Sequence, residues 1–215
     1  MSRRNRDLIV VGASAGGVQA LCAFAAGLPA DLPAAVLVVL HLPAGATSFL
    51  APILTRSGPL PAVVAGGGEP LRRGQIQVAP PDHHLLVMDA QVALSRGPTE
   101  NGHRPSINAL FRSAAVAAGP AVIGVQLSGV LDDGVAGLVA IAARGGLVMV
   151  QDPADALYSG MPEQAMRRVR PDYVLPAGGM GEALAKISES AVDEADDVFR
   201  GDLSAGLPIR AGKGS

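Results

Sequence analysis

An apolar run that stops abruptly in small residues constrains this chain more than any other feature. Leu8-Ile9-Val10-Val11 leads directly into Gly12-Ala13-Ser14-Ala15-Gly16-Gly17, and a helix-like spacing of apolar residues follows over 18–28. Such a pattern predicts a buried strand, a sharp turn and a helix. Small neighbours let the backbone bend and let a second molecule approach Ser14. At the first turn of a helix the backbone N–H groups lack intrahelical acceptors, so a serine placed there sits beside donors able to hold an oxyanion. The same residues are also compatible with a plain glycine-rich turn in which Ser14 caps the helix. The stretch lacks the Gly-Lys-Ser/Thr of a phosphate-binding loop and the G-x-G-x-x-G of a dinucleotide site.

The remaining strong runs share this character. Residues 34–40 (AAVLVVL) are an uninterrupted apolar strand, 121–127 (AVIGVQL) read as a third strong strand, and helical patterns separate them, which predicts a parallel sheet buried on both faces. Hydrophobic residues make up 49% of the 215, so the core can be large, but aromatics are only 3% and it must be built from Ala, Val, Leu and Ile. Helices are predicted at 47–56, although Pro52 lies inside, at 105–118 with Pro105 at the start, and at 134–144, 162–169 and 181–190. Short strands are predicted at 76–79, 84–88, 92–94, 147–150 and 173–175. Residues 85–94 read as a hairpin, an antiparallel excursion at the sheet edge. The expected fold is α/β: a single doubly wound, mostly parallel sheet flanked by helices. Residues 1–190 form that domain, and 191–215 read as a polar, disordered tail.

Charge and cysteine usage narrow the function classes. A net charge of −2 argues against a general nucleic-acid binder. The single cysteine, Cys22, excludes an internal disulfide, lies in an apolar helical run and reads as core. The run behind the basic start is too short for a signal peptide or a membrane span, so the expected location is the cytoplasm, without membrane insertion.

Three chemically suited residues follow strands. Ser14 follows the first strand, His41 the second, and Asp133 comes shortly after residues 121–127. Carboxyl ends of parallel strands lie along one edge, where ligands bind at a change in strand order. A hydroxyl, an imidazole and a carboxylate gathered there are the set that nucleophilic acyl transfer uses. Each has a plainer role open to it: His41 as a loop residue, and Asp132 or Asp133 as a helix cap. Asp82-His83-His84 is the competing metal-ligand candidate, but adjacent strand residues point to opposite faces and no further cluster completes a coordination set. Neither a metal nor a cofactor is expected. His103 reads as a loop or helix-entry residue.

In order along the chain, these motifs resemble the catalytic domain of the CheB chemotaxis protein-glutamate methylesterases. The resemblance rests on Gly12–Gly17 (GASAGG), Leu40-His41-Leu42-Pro43, Ala79-Pro80-Pro81-Asp82-His83-His84-Leu85, the run RPSINALFRSAA from Arg104, the run LSGVLDDGVAGL from Leu127, and Gly160-Met161-Pro162. It implies a serine hydrolase that removes methyl groups from glutamate γ-methyl esters on the cytoplasmic helices of chemoreceptors, in many members with deamidation of receptor glutamines. Carried over by motif, Ser14 is the nucleophile, His41 the general base and Asp133 its orienting carboxylate. The Ala15 and Val130 N–H groups become the oxyanion donors.

Departures from the family pattern are Ala15 for a frequent Thr, Val130 for Met, Leu131 for Gly and Asn108 for Asp. They leave open a weakly active regulatory or binding module, and an esterase acting on another protein. The family's usual receiver domain is not expected here, because only a few residues precede the first strand. Regulation is therefore expected from a separate protein, from oligomerisation or from receptor conformation.

Overall fold

In the computed structural model of the chain, residues 5–42, 45 and 47–189 are described. The expected tail, 191–215, lies outside them. The elements in order are β1 (Leu8–Ala13), α1 (Gly17–Gly27), β2 (Ala35–Leu40), α2 (Leu50–Ser57), β3 (Ala62–Val64), β4 (Glu69–Pro70), β5 (Ile76–Val78), β6 (His84–Met88), β7 (Gln91–Ser95) and α3 (Ile107–Ala118). They continue with β8 (Val122–Gln126), α4 (Val135–Ala143), β9 (Leu147–Gln151), α5 (Gly160–Arg168), β10 (Tyr173–Leu175) and α6 (Met180–Glu189).

Seven strands form one parallel sheet in the order β10-β9-β8-β1-β2-β5-β3. The apolar runs of β1 and β2 have no polar alternation because both faces are covered. Ile9, Val11 and Ala13 point into a core shared with α1, α2 and α6. Leu8 and Val10 point into a second core shared with α3, α4 and α5. Cys22 is half-buried and packs against the first of these cores.

The chain leaves β1 for β2 on one side and returns at β8 on the other. The sheet thus reverses its winding between β1 and β8, and a crevice forms at the carboxyl ends of strands at such a point. Ser14, His41 and Asp133 follow β1, β2 and β8, three adjacent strands.

Several details differ from the sequence reading. The hairpin of β6 and β7 does not extend the main sheet. With β4 it makes a separate three-stranded antiparallel sheet, and its Leu85, Val87 and Val92 pack into the α3 core. Its two-residue turn is Asp89-Ala90, both at positive φ, the geometry a tight hairpin needs. The edge strand β3 was not expected. Pro52 does not break α2, because the helix begins at Leu50 and the proline falls in the first turn. Pro105 lies outside α3, which starts at Ile107 with Ser106 before it.

Candidate active site

The turn after β1 is built by small residues. Gly17 N–H donates to the Ser14 carbonyl (2.8 Å) and Ala20 N–H to that of Gly16 (3.3 Å). Gly16 adopts φ 68°, and a Cβ there would sit 2.8 Å from Ser128 Oγ and 3.0 Å from Leu157 Cβ. Only glycine meets both demands. Ser14 N–H donates to the Ser128 carbonyl (2.9 Å), while Ser128 Oγ donates to the Ala15 carbonyl (2.8 Å) and accepts from Tyr158 N–H (3.0 Å). The turn is thereby tied to the loop after β8 and to the loop before α5.

Pairing between β1 and β2 continues into the site, since His41 N–H donates to the Ala13 carbonyl (3.1 Å). The His41 ring lies between the other two groups: Nδ1 is 3.1 Å from Ser14 Oγ, and Nε2 is 2.7 Å from Asp133 Oδ2. The carboxylate accepts the Nε2 proton, which leaves the Nδ1 lone pair facing the serine hydroxyl. The two ring nitrogens therefore exchange the places they hold in the serine proteases.

Asp133 is fully buried. Its Oδ2 also accepts Ile107 N–H (2.7 Å), and its Oδ1 accepts Ser106 Oγ–H (3.0 Å), Asn108 N–H (3.1 Å) and its neighbour Gly134 N–H (3.1 Å). Burial by itself would push the carboxyl up. The hydrogen bond from His41 and the Ile107 and Asn108 amides outweigh it, and the group sits below its ordinary value. Asp133 thus caps a helix, but it is α3 and not α4, the helix that follows it in sequence. Asn108, in the first turn of α3, returns the contact: its Oδ1 accepts Gly134 N–H (3.0 Å) and Gly137 N–H (2.8 Å) at the start of α4. Asp132 is exposed and lines a different cavity from the one beside His41.

Ala15 follows Ser14 in the chain, and Val130 lies in the loop after β8 whose Ser128 carbonyl accepts the Ser14 N–H. Among the described residues, neither amide donates to a backbone or side-chain acceptor. The Val130 loop is seated by Gly129 N–H on the Tyr158 carbonyl (3.0 Å) and by Met161 N–H on the Gly129 carbonyl (2.8 Å). A Cβ at Gly129 would overlap Met161 Sδ at 1.9 Å, so the Gly160-Met161-Pro162 motif forms the floor under this loop.

The Asp82-His83-His84 group is engaged otherwise than as a ligand set. Asp82 pairs with Arg104 (Nε to Oδ1 2.8 Å), His83 Nε2 accepts from Arg96 Nε (3.1 Å), and His84 donates to the Pro98 carbonyl (2.9 Å) while accepting Ser106 N–H (3.2 Å). His84 steadies Ser106, and Ser106 touches Asp133. Among the described residues no cluster of three or more His, Cys, Asp or Glu side chains could hold a metal ion. A cleft of about 390 Å³ opens beside His41, lined by Leu42, Asp82, Thr99, His103 and Arg104.

The sequence reading missed His103, whose ring stacks on His41 with centroids 3.6 Å apart and planes 11° from parallel. It also missed Ser106 and Ser128. The cue for His103 was the Asn101-Gly102 pair before it, a two-residue hairpin signal.

The comparisons with known proteins agree with this architecture. The CheB methylesterase family profile matches residues 9–184. A protein-glutamate methylesterase/protein-glutamine glutaminase of Methanosarcina mazei is 38% identical over 190 residues, covering 85% of this chain and 52% of that protein. One of Anaeromyxobacter dehalogenans is 38% identical over 182 residues, covering 85% and 53%. The chain therefore spans about half the length of the curated relatives it matches. The crystal structure of the Thermotoga maritima CheB methylesterase catalytic domain superposes with a TM-score of 0.79 at 32% identity, covering 84% of this chain and 97% of that one. With a profile match along most of its length, the chain belongs to the CheB methylesterase family.

Proposed function

We propose that this chain is a serine esterase that hydrolyses glutamate γ-methyl esters on the cytoplasmic helices of chemoreceptors. The observation that carries the reading is the continuous hydrogen-bonded path Ser14 Oγ–His41–Asp133 at the switch point of the sheet. The names of the relatives supply the substrate class.

In this reading Ser14 Oγ attacks the ester carbonyl as its proton passes to His41 Nδ1. The Ala15 and Val130 N–H groups stabilise the oxyanion. The imidazolium then protonates the departing methoxide, and methanol leaves. Water, deprotonated by the same Nδ1, attacks the acyl-enzyme, and glutamate and free Ser14 are regenerated. Asp133 keeps its charge throughout and holds the tautomer. A side-chain amide can follow the same path with ammonia as the leaving group, which accounts for glutaminase activity. Every step is served by groups of the chain itself, and control by a separate regulatory protein belongs to the same proposal.

The test is methanol release from methylated receptors, comparing wild type with Ser14→Ala. A loss of about 10⁴-fold or more is expected, with the fold retained because a half-buried serine at a turn contributes little packing. Undiminished release by Ser14→Ala would overturn the assignment.

A further inference from the structure

The segment from Glu100 to His103 is more ordered than a connecting loop needs to be. Glu100 and His103 form an isolated antiparallel bridge, with N–H···O distances of 3.1 and 2.9 Å. Asn101 (φ 51°) and Gly102 (φ 78°) make the tight two-residue turn between them. Glu100 holds the turn onto α3 through a two-pronged pair with Arg112, Nη2 to Oε2 at 2.6 Å. From this anchored turn, Asn101 Nδ2 reaches Asp133 Oδ1 (3.5 Å), and the His103 ring lies face to face on His41. One turn therefore touches both groups that serve Ser14.

We propose that His103, presented by this turn, is a positioning residue: an aromatic plate that fixes the plane of the His41 ring. The inference rests on the serine-esterase reading above. His41 is held at its edge by two hydrogen bonds, at Nδ1 and at Nε2. Those bonds oppose sliding but resist tilting weakly. A parallel ring at 3.6 Å blocks the tilt on that face.

The plate must also be uncharged. When His41 takes the Ser14 proton it becomes a cation, which a neutral aromatic face attracts and a second cation would repel. The groups around His103 set this state. Burial, and then His41, hold it below the ordinary histidine value, with Asp133 opposing. In the same cleft Asp82 and Arg104 neutralise each other, as Glu100 and Arg112 do behind the turn. His103 therefore loses its proton at a lower pH than a free histidine does.

The experiment compares His103→Ala and His103→Phe in the full chain. It follows methanol release and, separately, the ¹⁵N resonances of the His41 ring. Phenylalanine keeps a plane but has no ring nitrogen. Loss of the plate is expected to lower kcat about tenfold with KM nearly unchanged, the size of a desolvated cation–π contact. It should also move the His41 nitrogens from one tautomer toward averaging. His103→Phe should restore kcat to within a few-fold and return the single-tautomer spectrum. Unchanged kcat and spectrum in His103→Ala would overturn the proposal. So would a His103→Phe protein as slow as His103→Ala, because the ring nitrogens, not the plane, would then be at work. The ring spectrum does not depend on turnover. Failure of the esterase reading would instead show as an active Ser14→Ala protein, whatever His103 does.

Discussion

His41 has two very different sides. Toward Asp133 everything is buried and over-determined: the carboxylate accepts from His41, Ser106, Ile107, Asn108 and Gly134, and two helices exchange caps around it. Toward Ser14 and beyond, the surface opens. Val130 is 51% exposed, Leu131 58% and Leu157 65%, although each adjoins a loop pinned by several hydrogen bonds. In the proposed esterase the contrast divides two tasks. The closed side sets protonation and geometry, where a wrong donor cannot be relieved by water. The open side has free surface to offer a large substrate. Changes on the closed side should therefore strike kcat or folding, and changes on the open side KM.

The two adjacent aspartates put the largest effect on this contrast. Asp133→Asn is expected to lower kcat by about 10³ to 10⁴-fold. If the amide oxygen keeps the place of Oδ1, its NH₂ meets the Ile107 N–H and the His41 Nε2–H. His41 then turns to the tautomer with its proton on Nδ1, and it can no longer accept from Ser14. Asp132→Asn, on the exposed neighbour, should leave turnover within about twofold. Steady-state methanol release checks both. A greater loss from Asp132→Asn would mean that the buried carboxylate is not the one that serves His41.

Much of this site could be read from the residues, and what could not shares a physical cause. β1 and β2 were legible because strands buried on both faces here carry no polar residue, and β8 because its run is apolar up to Gln126; that pattern has few alternatives. Ser14, His41 and Asp133 were legible as residues that end or follow such strands. The partners of Asp133 other than His41 were not. Ser106 and Asn108 lie 27 and 25 positions away in sequence, and a cap supplied by a different helix leaves no local spacing to recognise. His103 was hidden for the same reason, since stacking depends on where a turn is placed in space. The hairpin was found but misplaced. Alternation reveals two paired strands, but not which sheet their buried face will cover.

The cap exchange sharpens the contrast from the stability side. Asn108→Ala removes the acceptor for Gly134 N–H and Gly137 N–H while leaving Gly134 its bond to Asp133. The Gly137 donor is then unmatched inside the protein. A loss of about 2 kcal/mol in unfolding free energy is expected, the upper range for a helix cap. The Asn108 N–H to Asp133 survives in an alanine, so kcat should fall only a few-fold. Urea unfolding and turnover measured on the same preparation check this. A stability unchanged within about 0.5 kcal/mol would show that the buried side is less tightly determined than its hydrogen bonds indicate.

The smallest expected effect tests the open side. Leu131 is mostly exposed in the free protein, so Leu131→Ser should leave the unfolding midpoint nearly unchanged. If this rim meets the receptor helix, the leucine loses water only in the complex. Partial burial of one such side chain contributes on the order of 1 kcal/mol, or about fivefold in affinity. Contact made equally before and during the reaction raises KM and spares kcat. Leu131→Ser should therefore raise KM for methylated receptor about fivefold. It should not alter kcat/KM for free glutamate γ-methyl ester, which is too small to reach from Ser14 across the rim. An equal loss on the small ester would place the fault in the Val130 loop and its proposed oxyanion donor. The division between a closed side that governs chemistry and an open side that governs substrate capture would then fail at Leu131.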